Sequence, residues 1–186
     1  MSKLTCVLLL LLVSVFSSAD DFRIYNLGAG DLVSITVYDE PDLSLKLRIG
    51  SSGSISYPLL GDIEVAGLTA KEFETELVRR LKGPYLLDPS VSVAIIEYRP
   101  FYVMGEVDNP GSYSFYPGMT VDRAISIAGG FTDRASKDKI FVEHDLTAVK
   151  VDERADAKNK AKATEKIKLS DIVRPGDVIT VKQSFF

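Results

Sequence analysis

The chain has 186 residues, and 46% of them are hydrophobic, which fits one or two globular domains and excludes an intrinsically disordered protein. The 22 Lys and Arg are dispersed among 26 Asp and Glu, giving a net charge of -4, so nucleic acid is not an expected partner. Cys6 is the single cysteine, which excludes an internal disulfide and leaves packed apolar surface to supply the stability.

The N-terminal residues follow the order of a secretory signal peptide. Lys3 precedes an apolar run, and small residues come after it. The run is too short and too early to be a transmembrane helix. We expect a signal peptide over residues 1–19, cleaved between Ala19 and Asp20. Cys6 stands before the end of the apolar run rather than after it, so no lipid anchor is expected.

A Gly-Asp pair followed by alternating apolar residues occurs three times, beginning at Gly30, Gly61 and Gly176. Glycine can adopt the positive φ of a tight turn, Asp can accept backbone hydrogen bonds, and period-two apolar residues indicate a half-buried strand. A glycine-rich phosphate loop is the alternative, but such a loop opens onto a helix and brings a Lys-Ser/Thr pair. The pattern therefore favours a repeated turn that enters a strand.

The first half is predicted to consist of short strands around one helix. Thr69 and Glu72 have the spacing of a capping box, and Gly83 followed by Pro84 marks the end of this helix. The apolar residues predicted for its buried face are Phe73, Leu77 and Leu81. The alternating sequence "PSVSVAIIEY" after the helix predicts a closing strand.

A domain boundary is predicted at Arg99-Pro100. Beyond it, "FYVMGEV" and "YSFY" read as strands separated by the turn "DNPGS". Thr120 is the predicted N-cap of a short helix that ends at Gly129-Gly130. The residues predicted for the buried stripe of this helix are Val121, Ala124, Ile125 and Ala128.

The rest of the second half contains two more predicted strands. The sequence "KIFVEHDL" reads as a strand, and the last strand follows Gly176. Residues 148–168 are rich in charge and poor in large apolar side chains, which indicates an exposed hairpin or loop. Two strands, a crossing helix and returning strands describe a β-grasp-like unit, so the whole chain is predicted to be α+β, with two small α+β domains.

No catalytic or metal-binding constellation stands out in the sequence. His144 is the only histidine and is interpreted as a surface residue of a strand, because metal and catalytic sites need convergent partners. Neither a Gly-x-Ser-x-Gly nor a His-Glu-x-x-His motif is present. No metal or cofactor is expected, although any two carboxylates brought together by folding could flank a glycosidic bond.

Aromatic residues cluster around the domain boundary. Tyrosine rings suit the faces of sugars, but they also fill strand cores and subunit contacts, and the latter interpretation is favoured. Arg99, Tyr102 and Tyr113 are the binding candidates, for a glycan or for a neighbouring subunit.

Several ordered motifs together resemble a known family over nearly all of the chain after the signal. The stretches "YNLGAGDLVSITVYDEPDLS", "GSISYPLLGDIEVAGLTAKEFETELVRRL" and "YLLDPSVSVAI" are similar to the polysaccharide export domain of outer-membrane polysaccharide export proteins. The stretches "VMGEVDNPGSYSF", "AISIAGGFTDRA" and "RPGDVITV" resemble the soluble ligand-binding β-grasp (SLBB) domain that follows it. The resemblance implies an export domain over residues 20–99 and an SLBB domain over residues 100–186.

The resemblance also implies a function and partners. Members of this family are non-enzymatic, ring-forming homo-oligomers of the Gram-negative periplasm that carry capsular or exopolysaccharide outward. Their partners are the polysaccharide and an inner-membrane polysaccharide co-polymerase, often a tyrosine kinase. Longer members continue into a helix that crosses the outer membrane, whereas this sequence stops at Phe186. We therefore expect it to depend on a separate outer-membrane β-barrel. A periplasmic carbohydrate-active enzyme and a glycan-binding module that forms no ring are the alternatives.

Overall fold

The computed structural model describes residues 25–144 and 164–184. The predicted signal peptide, with its cleavage site between Ala19 and Asp20, lies outside the described residues. The described chain is α+β, as the sequence predicts, and its buried apolar residues form two clusters.

The first cluster lies within residues 27–93 and is enclosed by two small sheets and a helix. Antiparallel strands in the order β2-β1-β5 form one sheet, and the β3-β4 hairpin forms the other. The elements are β1 (Leu32–Val37), a 3₁₀ turn (Pro41–Leu43), β2 (Leu45–Arg48), β3 (Ser54–Tyr57), β4 (Gly61–Glu64), α1 (Ala70–Leu81) and β5 (Val91–Glu97).

Helix α1 begins and packs as its sequence predicts. The Thr69 hydroxyl accepts a hydrogen bond from Glu72 N at 3.1 Å, and the Glu72 carboxylate accepts one from Thr69 N at 2.8 Å. This reciprocal capping box satisfies two backbone N–H groups that the first helical turn leaves unpaired. The predicted apolar face is fully buried at Phe73, Leu77 and Leu81.

The second cluster lies within residues 101–181 and is covered by one helix on one face of a mixed sheet. The strand order is β7-β6-β10-β8-β9, with β6 and β10 parallel at the centre and the other pairs antiparallel. The elements are β6 (Phe101–Gly105), β7 (Gly111–Tyr113), α2 (Val121–Ile127), β8 (Ala135–Glu143), β9 (Thr164–Ile167) and β10 (Val178–Gln183). A central parallel pair joined through a crossing helix is the arrangement expected of a β-grasp.

One element of the second half differs from the sequence prediction. The strand expected at "YSFY" lies earlier, at Gly111–Tyr113, because Gly111 pairs with Val103 across the hairpin. Phe115 instead turns into the core, where it is 9% exposed. The predicted exposed segment 148–168 falls mostly outside the described residues, and its end forms β9.

Within residues 25–144 and 164–184, no helix has the length and apolar content needed to cross a bilayer.

Candidate functional site

The first Gly-Asp pair closes a four-residue turn directly before β1. Asp31 N donates to Gly28 O at 3.2 Å, and Gly28 N donates back to Asp31 Oδ2 at 2.8 Å. Gly30 has a φ of 97°, which disfavours a residue with a side chain. The turn therefore requires glycine at this position, and the Asp side chain bonds the turn from within.

The last Gly-Asp pair has the same construction directly before β10. Asp177 N donates to Arg174 O at 3.2 Å, and Arg174 N donates to Asp177 Oδ2 at 2.8 Å. Gly176 has a φ of 86°. The two turns are thus equivalent in hydrogen bonding, and both carboxylates are buried, at 0% and 1% exposure.

The middle Gly-Asp pair enters a strand but differs in its surroundings. Gly61 is the first residue of β4, and Asp62 pairs with Ser56 across the hairpin. The Asp62 side chain is exposed. The prediction of a turn entering a strand is confirmed for all three pairs, while only the outer two bury the carboxylate.

The buried Asp31 carboxylate holds the start of the second half of the chain. Arg99 N donates to Asp31 Oδ1 at 2.7 Å, and the Arg99 guanidinium approaches Oδ2 at 3.2 Å. The Tyr25 hydroxyl donates to the same Oδ2 at 2.6 Å and accepts from Arg99 Nη1 at 2.7 Å. Burial, and then the negative charge of Asp31, raise the pKa of Tyr25 well above its ordinary range.

The buried Asp177 carboxylate holds the only histidine of the chain. His144 Nδ1 lies 2.7 Å from Asp177 Oδ1, and His144 Nε2 lies 4.0 Å from Glu165 Oε2. Burial raises the pKa of Asp177, while the Arg174 N–H and the His144 imidazole oppose that shift. The interpretation of His144 as a histidine without convergent partners is wrong, because its partner is distant in sequence and adjacent in space.

The two turns face each other across a cleft of about 350 Å³. One wall is formed by Ala29 and Gly30 of the first turn. The linker between β5 and β6, residues 98–100, adds Arg99 and Pro100 to the lining. The other lining residues come from β6, from the end of β8, from the second turn and from the start of β10, and they are Tyr102, Glu143, His144, Gly176 and Val178. The cleft therefore lies at the junction of the two apolar clusters.

The candidate binding residues fall in two places. Arg99 and Tyr102 both line the cleft, where Arg99 is 6% and Tyr102 is 42% exposed. Tyr113 lies away from the cleft on β7, where its hydroxyl donates to Asn109 O and its ring packs against Phe101. The fold thus brings two of the three candidates together.

Aromatic rings join the two apolar clusters beside the cleft. The Tyr98 ring meets Tyr25 edge-on, with centroids 5.0 Å apart, and meets Phe115 edge-on at 5.5 Å. Edge-to-face pairs at these distances are favourable beyond the area they bury. Burial raises the pKa of Tyr98. This aromatic row and the Asp31–Arg99 pair together fix the linker against both halves.

Sequence reasoning missed four polar residues of this region, namely Asp31, Glu143, His144 and Asp177. The sequence feature that could have identified Asp31 and Asp177 is their position, each between a glycine and a run of apolar strand residues. A carboxylate placed at the start of a buried strand must be compensated by donors. No group of three or more His, Cys, Asp or Glu suited to a metal ion occurs within the described ranges.

Comparison with known proteins agrees with the domain order. Residues 20–96 match the family model described as polysaccharide biosynthesis/export protein, and residues 100–152 match the SLBB domain model. The chain is thus a two-part protein in which an export domain precedes a β-grasp domain. It belongs to the polysaccharide biosynthesis/export family.

Three relatives illustrate the range of similarity. The exopolysaccharide production protein ExoF of Rhizobium meliloti is 37% identical over 136 residues, covering 67% of this chain and 32% of that protein. The EPS I polysaccharide export outer membrane protein EpsA of Ralstonia solanacearum is 34% identical over 132 residues, covering 57% and 35%. The polysialic acid transport protein KpsD of Escherichia coli is 27% identical over 111 residues, covering 57% and 19%. The chain spans about a third or less of the length of these relatives.

Proposed function

We propose that the chain is a periplasmic component of a capsular or exopolysaccharide export machine. In this role it forms a ring-shaped homo-oligomer or an adaptor that conducts polymer toward the outer membrane. The observation that carries the proposal is the succession of an export domain and an SLBB domain. The names of the relatives, which include exopolysaccharide production and polysaccharide export proteins, support it.

The proposal includes the processing and the domain limits. A signal peptide of residues 1–19 is removed, the export domain spans 20–99 and the β-grasp domain spans 100–186. Arg99, Tyr102 and Tyr113 contact the glycan or a neighbouring subunit. The partners are the polysaccharide, an inner-membrane co-polymerase or tyrosine kinase, and a separate outer-membrane β-barrel.

The proposal assigns no bond-breaking step to the protein. A periplasmic carbohydrate-active enzyme is the second candidate, and the observation that favours it is the His144–Asp177 pair beside the cleft, since a carboxylate that orients an imidazole is a common catalytic arrangement. Asp177 is 1% exposed and bonded at both oxygens, so it can orient His144 but cannot itself reach a substrate. The weight against the enzyme comes from the cleft lining, which among the described residues includes no serine, threonine or cysteine to act as a nucleophile.

A gene deletion in the producing strain tests the proposal. We expect polymer to disappear from the cell surface and to accumulate inside the envelope, with export restored by the full-length gene. The purified protein, sized by native mass spectrometry alone and with the co-polymerase, should form a closed oligomer. Normal surface polymer in the deletion strain would contradict the export role.

The enzymatic alternative is tested on the isolated polymer. Purified protein incubated with that polymer should leave its size distribution unchanged on gel filtration. Shorter chains or free saccharides that accumulate with time, and that disappear when His144 is replaced, would favour the enzyme.

A further inference from the structure

We propose that the cleft between the two outer Gly-Asp turns binds a single uncharged pyranose ring of the polymer. The proposal rests on the proposed function, and it specifies the place of contact and the class of sugar. The cleft volume of about 350 Å³ is at the lower end of the range for small-molecule sites, roughly 300–1,000 Å³. A volume at this lower end suits a single sugar ring.

One side of the cleft offers the apolar surface that a sugar ring needs. Tyr102 on β6 pairs in register with Val178 on β10, and both line the cleft together with Pro100. The Tyr102 side chain is 42% exposed, although a ring of that size in a sheet usually packs against a neighbour. An exposed tyrosine ring gives the C–H face of a pyranose a platform with a hydroxyl at its edge.

The adjoining strand supplies hydrogen-bonding groups. Val178 also pairs with Glu143 on β8, so Tyr102, Val178 and Glu143 form one row across three neighbouring strands. His144 follows directly in the chain and also lines the cleft. The imidazole of His144 can donate or accept a hydrogen bond, as a sugar hydroxyl requires.

Asp177 keeps the His144 ring in one orientation. Nδ1 lies 2.7 Å from the buried Asp177 carboxylate, and an ionised carboxylate can only accept, so this contact engages Nδ1 as the donor. Nε2 is then the nitrogen that remains for a ligand hydroxyl, and the His144 side chain is 25% exposed. Asp177 is therefore a positioning residue for this subsite.

The charges around the cleft favour an uncharged sugar over a uronate or a phosphorylated one. Arg99 is paired with Asp31 at 3.2 Å, and His144 is paired with Asp177 at 2.7 Å. Glu143 adds a carboxylate to the same lining. An acidic sugar would thus meet an arginine whose charge Asp31 already neutralises.

The test compares two methyl glycosides that differ only at C6. Methyl β-D-glucopyranoside and methyl β-D-glucuronide are titrated into the full-length processed protein, and binding is followed by saturation-transfer NMR. Methyl β-D-galactopyranoside and neutral oligosaccharides from the isolated polymer serve as further probes. We expect saturable transfer to ring protons of the uncharged sugars and weaker transfer to the glucuronide.

Variants locate the contact. Tyr102→Ala should weaken binding by about tenfold, equivalent to about 1.4 kcal/mol, while Tyr102→Phe should retain most of it because the ring remains. Tyr116→Ala is the matched control, since Tyr116 is an exposed tyrosine, 64% accessible, outside the cleft lining. Circular dichroism of each variant reports whether the fold is kept.

Three results would overturn this subsite. They are the absence of saturable binding with all of the probes, equal binding by wild type and Tyr102→Ala, and tighter binding of the glucuronide than of the glucoside. If any of these occurs while the deletion strain still fails to export polymer, the subsite fails and the proposed function stands. If the deletion strain exports normally, the proposed function fails whatever the sugar binding shows.

Discussion

Asp31 and Asp62 each follow a glycine at the entrance to a strand, yet their surroundings are opposite. The Asp31 side chain is fully buried, and its oxygens accept from Tyr25, Gly28 and Arg99. The Asp62 side chain is exposed. A buried carboxylate is tolerated only when donors compensate for its lost hydration. The same Gly-Asp dipeptide therefore carries a buried, hydrogen-bonded carboxylate at Asp31 and a solvent-exposed carboxylate at Asp62.

Replacement of each aspartate by asparagine should separate these roles. Asp31→Asn removes the charge opposite the buried Arg99 and should lower the free energy of unfolding by about 3–5 kcal/mol. Asp62→Asn should change it by less than about 0.5 kcal/mol. Urea denaturation monitored by circular dichroism measures both. Equal losses in the two variants would contradict a special role for the buried carboxylate.

The pKa of the Asp177 carboxyl group tests its contact with His144. Burial raises the pKa of Asp177, and the His144 imidazole opposes the shift. Because the native state then holds this proton more tightly than the unfolded state, the contribution of Asp177 to stability falls as pH rises from the ordinary value of 3.8 through the raised native pKa. His144→Ala should raise that native pKa further.

The carboxyl ¹³C resonance of Asp177, titrated in wild type and in His144→Ala, gives this measurement directly. Tyr116→Ala is the control, since its ring is exposed and no hydrogen bond joins it to Asp177 among the described residues. A pKa for Asp177 that stays the same or falls when His144 is replaced would show that the imidazole does not stabilise the charged carboxylate.

At the scale of the secondary structure elements, Gly105 ends β6 opposite Val181 of β10. It has a φ of 87°, and a Cβ at this position would lie 2.0 Å from Val181 O. Gly118 has a similar φ of 81°, but a Cβ there would have no heavy atom within 4 Å. Comparison of Gly105 with Gly118 therefore distinguishes the cost of a side chain at positive φ from the additional cost of its overlap with β10.

Alanine at the two glycines should have unequal effects. Gly118→Ala should cost about 1–2 kcal/mol of unfolding free energy, the cost of a side chain at positive φ. Gly105→Ala should cost more, on the order of 4 kcal/mol or above, because the central parallel pair must also move apart. Thermal and urea unfolding of both variants measure the difference, and equal losses would contradict the close approach of the strands.

Sequence patterns predicted the elements best where the decisive contacts are local. Helix α1 was predictable because Thr69 and Glu72 are three residues apart and specify the start by themselves. The sequence pattern places strand β7 at "YSFY", later than the observed Gly111–Tyr113. Its position depends on the pairing of Gly111 with Val103, which local alternation of apolar residues cannot predict.

The cleft could be predicted only in part. Arg99 and Tyr102 were candidates because cationic and aromatic residues lay together near the boundary. Glu143 and Gly176 were not, because they reach the cleft through pairing of strands that are distant in sequence. Periodicity identifies strands but does not determine which strands become neighbours.

At the scale of the whole molecule, Tyr98 lies between the two apolar clusters. Its ring contacts Tyr25 on one side and Phe115 on the other. Tyr98→Ala should remove both edge-to-face contacts, each worth about 0.5–1.5 kcal/mol, and should loosen the relative orientation of the two halves. Residual dipolar couplings of each half, fitted separately, measure that orientation.

The control for this prediction is Tyr116→Ala, which removes a tyrosine outside the aromatic row. It should leave one alignment tensor common to both halves, as in wild type. If Tyr98→Ala also keeps a common tensor, the linker is fixed without the aromatic row.

The linker itself has a consequence for assembly. Arg99 N is bonded to Asp31 on one side, Pro100 has no N–H to satisfy, and Pro100 O accepts from Gly176 N at 3.1 Å on the other. In a closed ring every subunit must subtend the same angle, and a small error in that angle accumulates around the circumference. A subunit with a loose joint would close at several different sizes, whereas one whose joint is bonded on both sides has a single preferred curvature. The stoichiometry of the proposed ring would then be set within each subunit, before any two subunits meet.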